Sequence, residues 1–172
     1  MMPFGELDRR RDFLFETLGR EGKIFVRPDS PLKLFTGQTA SRESFSEDLE
    51  FMGFYEFPER SMVAVSSPKS ILAEWRFVVA DGIVVAGSQY KAGDEFDSQA
   101  TYDQAAFDLA QTIASQGYQP DPAWILDVCK TSDDKFHLLE IGGFSFSDLY
   151  ACDKHDVVKA VSKVAKITWE LS

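Results

Sequence analysis

AWILDVCKTSDDKFHLLEI, Ala123 to Ile141, is the stretch on which the fold turns. Two β-prone apolar runs, Trp124–Lys130 and Phe136–Ile141, flank a polar break at Asp133-Asp134, the pattern of a hairpin. With Asp133 and Asp134 as the two turn residues, Ser132 pairs with Lys135, and counting back along both strands sets Asp127 opposite Glu140. Opposed residues share a sheet face, with Cβ atoms about 4.5–5.5 Å apart. Alternation puts Ile125, Cys129 and Leu138 beside the two acids and His137 on the other face. Two carboxylates at about 5 Å repel by roughly 3 kcal/mol at an effective dielectric of about 20. On a partly apolar face that repulsion calls for a shared proton, a basic side chain or a divalent cation. No His or Cys stands at the spacing of a zinc site, so oxygen ligation of a hard cation such as Mg²⁺ is the natural metal reading. The plain structural alternative is a solvated pair, or two acids bridged to separate cations.

Working outward, Asp81-Gly82 is the strongest short turn signal in the chain and joins Ser70–Ala80 to Ile83–Tyr90. Counting from that turn sets Glu74 opposite Gln89, with Glu74 and Arg76 on one face. Toward the N-terminus, Leu7–Leu18 reads as a helix stopped by Gly19, and Lys23–Arg27 as a strand stopped by Pro28. Asp29–Thr39 reads as a loop, Ser44 and Glu47 as the capping box of a second helix, and Ser61–Val65 as a strand. Gly93–Ala100 reads as a polar loop. Thr101–Gln116 carries Ala105, Leu109 and Ile113 at helical spacing, and Asp156–Leu171 carries Val157, Val161, Val164 and Ala165 on one face. Hairpins mixed with helices define an α+β class.

At 172 residues the chain suits one domain, with room for two lobes. A net charge of −10 disfavours nucleic acid, because the one basic run, Arg9–Arg11, is flanked by acids. A mononucleotide needs only a few local cations. No stretch approaches the ~20 apolar residues of a membrane span and no apolar leader opens the chain, so the expected location is cytoplasmic. Cys129 and Cys152 have no motif spacing and read as buried, reduced thiols. Arg27 ends a strand, Lys33 lies in the loop beyond it, and Thr36-Gly37-Gln38 forms a turn that brings backbone N–H groups close together. This is not a P-loop, since no Gly-Lys-Ser/Thr opens a helix. Surface cations are the ordinary alternative.

Taken in order, Phe25-Val26-Arg27-Pro28, Lys33-Leu34-Phe35-Thr36-Gly37-Gln38, Glu74-Trp75-Arg76-Phe77, Gly87-Ser88-Gln89-Tyr90, Trp124-Ile125-Leu126-Asp127-Val128, Leu139-Glu140-Ile141, and Phe144-Ser145 running into Leu149-Tyr150-Ala151-Cys152-Asp153 resemble the ATP-grasp superfamily, R-two-K clade. The resemblance implies a nucleotide clamped between a smaller lobe, about residues 20–66, and a larger one, about 67–172. It assigns ATP contacts to Arg27, Lys33, Thr36, Gly37 and Glu74, adenine contacts to the backbone of Ala64, Val65 and Ser66, and Mg²⁺ to Asp127 and Glu140. Arg76 would face the transferred phosphoryl group as the catalytic residue, and Tyr150 and Asp153 would approach substrate, Asp153 being equally suited to cap the final helix. The implied reaction joins a small-molecule or peptide carboxylate to an amine or similar nucleophile through an acyl phosphate. Two departures support a second reading, a catalytically impaired binding or interaction module. The family places Asn two residues after its metal-binding Glu, where this chain has Gly142, with Ser145 or Asp148 as nearby substitutes. Only about twenty residues precede the first expected strand, which implies that the family's N-terminal domain is missing or supplied by a partner chain or a second copy.

Overall fold

The computed structural model describes residues 1–29, 35–54 and 58–171; Lys33 lies outside them. The chain divides into two compact units, Met1–Lys69 and Ser70–Ser172.

Among the described residues, the first unit is a four-stranded antiparallel sheet with two α-helices. Its elements are β1 (Met2–Pro3), α1 (Arg11–Leu18), β2 (Lys23–Pro28), β3 (Gln38–Ser41), α2 (Phe45–Met52) and β4 (Met62–Ser66), with strand order β1-β4-β2-β3. Alternation along β2 buries Ile24 and Val26, which pack with Leu14 and Phe15 of α1 and Phe45 and Met52 of α2. The expected loop over Asp29–Thr39 gives way to strand at Gln38, because Gln38–Ser41 pairs with β2 and buries Ala40. Ser44 occupies the N-cap position of α2, yet no capping box forms, as its side chain makes no cap hydrogen bond. Its hydroxyl instead donates to Asp48 at 3.0 Å, and the Ser41 N–H donates to the same carboxylate oxygen at 2.8 Å.

The second unit comprises β5 (Ile71–Ala80), β6 (Ile83–Ala92), β7 (Glu95–Gln99), α3 (Gln104–Ala114), β8 (Ala123–Thr131), β9 (Phe136–Gly143) and α4 (Lys154–Leu171). Its five strands lie in the order β7-β6-β5-β8-β9, each antiparallel to its neighbour. One sheet face presents Trp75, Phe77, Val79, Trp124, Leu126 and Val128 to Ala106, Ala110 and Ala114 of α3. Those small side chains let the helix approach the aromatic face closely. The other face buries Val78 and Ile125 against Cys152 and Val157. The remainder of that face carries the polar groups Glu74, Arg76, Ser88, Asp127 and Glu140. Gly93–Ala100 holds the edge strand β7 rather than a loop; its polar composition reflects exposure along most of its length.

The registers differ from simple turn counting in an informative way. The β8–β9 loop has three residues, Ser132-Asp133-Asp134: the Thr131 N–H donates to the Lys135 carbonyl at 2.9 Å, and Asp134 sits at φ 64°. A left-handed third position is characteristic of three-residue hairpins. Lys135 therefore faces Thr131, not Ser132. That slip alone would move Glu140 away from Asp127, but a bulge at Leu139 restores the match. Val128 pairs with Leu138 and Asp127 pairs with Glu140. The bulge also reverses two neighbours. His137 falls opposite Cys129 on the acidic face, and Leu138 falls opposite Val128 on the α3 face. In the β5–β6 hairpin Ala80 pairs with Ile83 as the turn dictates, but two register shifts set Gln89 opposite Trp75 and Lys91 opposite Glu74.

Candidate functional site

One row crosses the second unit's sheet: Ser88 on β6, Arg76 on β5, Asp127 on β8 and Glu140 on β9. Central strands place Arg76 and Asp127 where water is scarce, with side chains 14% and 4% exposed. Arg76 grips Asp127 with two parallel bonds, Nε donating to Oδ1 at 2.9 Å and Nη2 to Oδ2 at 2.7 Å. This fork-on-carboxylate geometry is the strong form of the interaction. Nη1 donates to the Asp148 carbonyl at 3.1 Å.

Glu74 is also buried, and accepts a hydrogen bond from the Tyr90 hydroxyl and an ion pair from Lys91 at 3.4 Å. The Tyr90 and Tyr150 rings stack at 4.8 Å and 11°, and the Arg76 guanidinium lies 5.6 Å and 5.0 Å from their centroids. Tyr150 has φ 49°, which is uncommon for a bulky residue, and its N–H donates to the Asp148 carboxylate at 2.9 Å. The Ser88 hydroxyl donates toward the carbonyls of Gln89 and Gln99 and accepts from the Ala151 N–H at 3.2 Å, which anchors the segment carrying Tyr150.

The charges are balanced against burial. Burial pushes the Asp127 carboxyl above its ordinary range; the bonds and charge of Arg76 pull it back, and the charges of Glu140 and Glu74 push it up again. Burial would lower Arg76, but Asp127 outweighs it and holds the guanidinium firmly charged. Tyr90 is held well above the usual phenol range by burial, then by the Asp127 charge and its bond to Glu74. Burial likewise pushes the Cys152 thiol up to about 11.

The donor set suits Mg²⁺. Two carboxylates on adjacent strands share one face, and such ions are held typically by one or two carboxylates with water and phosphate oxygens completing the shell. At Gly142 an added Cβ would meet nothing within 4 Å, so the position where the family carries Asn is open space. Of the two suggested substitutes, Asp148 is engaged with Arg76 and Tyr150, while Ser145 lines a groove beside α4 with Val161 and Trp169.

Within the first unit, Arg27 pairs with Ala64, Val26 with Val65 and Phe25 with Ser66. Gly37 lies so close over β2 that an added Cβ would stand 2.7 Å from the Phe25 ring and 3.0 Å from the Arg27 Cβ. Thr36, next to it, is exposed. Arg27, Gly37 and the Ala64–Ser66 segment thus meet on that sheet, whereas Glu74, Arg76, Asp127 and Glu140 meet on the other. Asp153 accepts from the N–H groups of His155 and Asp156 and caps α4; with His155 and Asp156 it forms an exposed cluster within 4.8 Å. Cys129 and Cys152 are both free and buried.

Lys91 and the Asp148 carbonyl are contributors that residue patterns did not reveal. The bulge near Tyr90 hides Lys91, and backbone carbonyls leave no trace in composition. The Gly87-Ser88-Gln89-Tyr90 string contained Ser88 and Tyr90, but turn counting could not set their partners.

This chain belongs to the ATP-grasp domain family, R-two-K clade, family 2, whose model matches residues 10–160. Its fold resembles that of D-cycloserine synthetase DcsG, with a TM-score of 0.63 and 17% identity over 96% of this chain and 63% of that one. It also resembles the ATP-grasp ligase PsnB in complex with a phosphomimetic variant of minimal precursor, Mg and ADP, with a TM-score of 0.57 and 12% identity over 94% of this chain and 51% of that one. A third likeness is to N5-carboxyaminoimidazole synthase from Aspergillus clavatus in complex with ADP and 5-aminoimidazole ribonucleotide, with a TM-score of 0.56 and 14% identity over 82% of this chain and 38% of that one. The chain therefore spans between 38% and 63% of the length of these proteins. No curated protein matches it in sequence. Among the described residues, no helix is long and apolar enough to cross a membrane.

Proposed function

We propose that this chain binds Mg·ATP and forms the nucleotide-using part of a cytoplasmic ligase that joins a small-molecule or peptide carboxylate to an amine or related nucleophile through an acyl phosphate. The observation that carries the reading is the row Arg76–Asp127–Glu140, in which a guanidinium binds one carboxylate and a second carboxylate pairs with the first across the next strand, on one half-dry sheet face. In this reading Asp127 and Glu140 hold Mg²⁺, which supplies charge neutralisation to phosphate oxygens. Arg76 keeps Asp127 in place and directs its remaining N–H groups toward charge that develops on the transferred group. Glu74 fixes Tyr90 and contributes to the nucleotide side of the site. Arg27, Lys33, Thr36 and Gly37 serve as phosphate contacts, and the backbone of Ala64–Ser66 as the adenine contact. Catalysis of this kind rests on positioning and charge stabilisation.

Mg·ATP at about 100 times its Kd would stabilise the protein by roughly 2.7 kcal/mol. For a chain of this size that raises Tm by about 5–10 °C. Absence of any shift at millimolar Mg·ATP sinks the nucleotide reading. If ATP binds but no pairing of acid and amine releases ADP, only the ligase step fails.

A second reading is favoured by Gly142, which offers no ligand atom where the family has one. In it the chain is a catalytically impaired binding module that works with a partner chain or a second copy. It requires weak or absent Mg-dependent nucleotide binding and a stable complex by light scattering.

A further inference from the structure

Arg76 has two seats. One is the Asp127 carboxylate, held by two bonds of 2.7 and 2.9 Å. The other is the Tyr90–Tyr150 ring stack, 5.0–5.6 Å from the guanidinium, together with the Asp148 carbonyl at 3.1 Å. The second seat is itself fastened. Tyr90 is tied to Glu74, which Lys91 approaches, and Tyr150 is kept in a left-handed conformation by its bond to Asp148. Unfavourable backbone of this kind persists only where its surroundings over-determine it. Cation–π attraction and a carbonyl acceptor can hold a guanidinium without a carboxylate.

We propose that Arg76 is the resident counter-ion of Asp127 and makes the site selective for a divalent cation that arrives with polyphosphate over the free cation. The inference rests on the reading of Asp127 and Glu140 as cation ligands. A bare cation approaching Asp127 meets the repulsion of the guanidinium and must take the carboxylate from it. A cation carrying phosphate brings negative oxygens that accept the N–H groups Asp127 gives up, while the rings and the Asp148 carbonyl keep the guanidinium in place. Arg76 therefore penalises the first ligand and favours the second. Tyr90 and Tyr150 act through it as positioning residues.

The test is calorimetry on the full chain with Mg²⁺ alone and with Mg·ATP. Removing the charge in Arg76→Gln should tighten Mg²⁺ alone by on the order of tenfold and weaken Mg·ATP by at least about tenfold. Tyr150→Ala, which removes the second seat, should weaken both ligands several-fold, and Tyr150→Phe should restore both. If wild type binds Mg·ATP but Arg76→Gln binds Mg²⁺ alone no better than wild type, the inference is overturned and the nucleotide reading stands. If wild type binds neither ligand, the reading of the site falls and the inference with it. Should Arg76→Gln not fold, the Tyr150 variants decide: equal affinities in the Ala and Phe variants overturn the proposal.

Discussion

Asp127 is the carboxylate on which the proposed cation site and the local stability both depend. It is buried on a central strand, and it tolerates that environment because Arg76 meets both of its oxygens. Asp127→Asn keeps the shape but replaces one of the two acceptor oxygens with an amide N–H₂ aimed at the Arg76 donors, leaving a mostly buried guanidinium poorly matched. A loss of about 1–3 kcal/mol in urea unfolding is expected, together with loss of Mg-dependent ATP binding by calorimetry. The pH dependence follows from the raised carboxyl. Because burial makes the folded protein hold this proton more readily than the unfolded chain, the group's stability contribution is fully present below the ordinary aspartate value of 3.8 and is lost as pH rises through the raised folded value. The stability of wild type relative to Asp127→Asn should therefore improve on acidification. Cation affinity should move the opposite way and begin to fall at a pH above the ordinary carboxylate range, since a ligand must be ionised to bind metal. A Mg·ATP affinity that is flat until well below 3.8 would contradict the second expectation, and a stability difference that does not rise on acidification would contradict the first.

At the scale of elements, bulges rather than turns decide which side chains meet. Leu139 is the extra residue between two matched pairs, Val128–Leu138 and Asp127–Glu140. Deleting it should leave both pairs matched, so the shortened protein is expected to fold and to bind Mg·ATP within about threefold of wild type. A folded deletion variant that has lost binding would show that the local bend, and not the pairing alone, shapes the site. On the opposite face the packing has no slack. A Cβ on Gly87 would lie 2.6 Å from the buried Phe77 ring and 2.8 Å from Tyr102. Gly87→Ala should accordingly cost about 1–3 kcal/mol by overpacking, read as a lower midpoint in urea with an unchanged slope.

For the whole molecule, the consequential fact is that each unit has its own core. Leu14, Ile24, Val26, Phe45 and Val63 belong to a cluster inside Met1–Lys69. Trp75, Phe77, Trp124 and Leu126, with the Val78–Ile125 cluster behind them, lie inside Ser70–Ser172. A fragment of residues 70–172 should therefore fold alone, with dispersed amide resonances and a cooperative thermal transition. It should keep the Arg76–Asp127 pair but, on the proposed function, bind ATP much more weakly than the full chain, because the proposed phosphate contacts Arg27 and Gly37 are not in it. A fragment that stays unfolded would show that its core is insufficient alone.

The α+β class, the two hairpins and the order of the family's motifs were legible in the residues, because apolar alternation and turn chemistry act over a few neighbours. Asp127 opposite Glu140 was legible as well, but through two compensating departures: the loop is one residue longer than counted, and Leu139 takes up the difference. For the same reason His137 and Leu138 lie on the faces opposite to those that alternation assigned. β7 escaped notice because an exposed edge strand does not need an apolar side. What compensates the buried acid was left open by composition, which allowed a proton, a cation or a basic side chain. The tertiary structure settled that Arg76 does so, since only the pairing of β5 with β8 brings residues 51 positions apart within 2.7 Å. Short-range patterns determined the strands and their candidate acids; the long-range pairing of strands, with its bulges, decided which charges face one another.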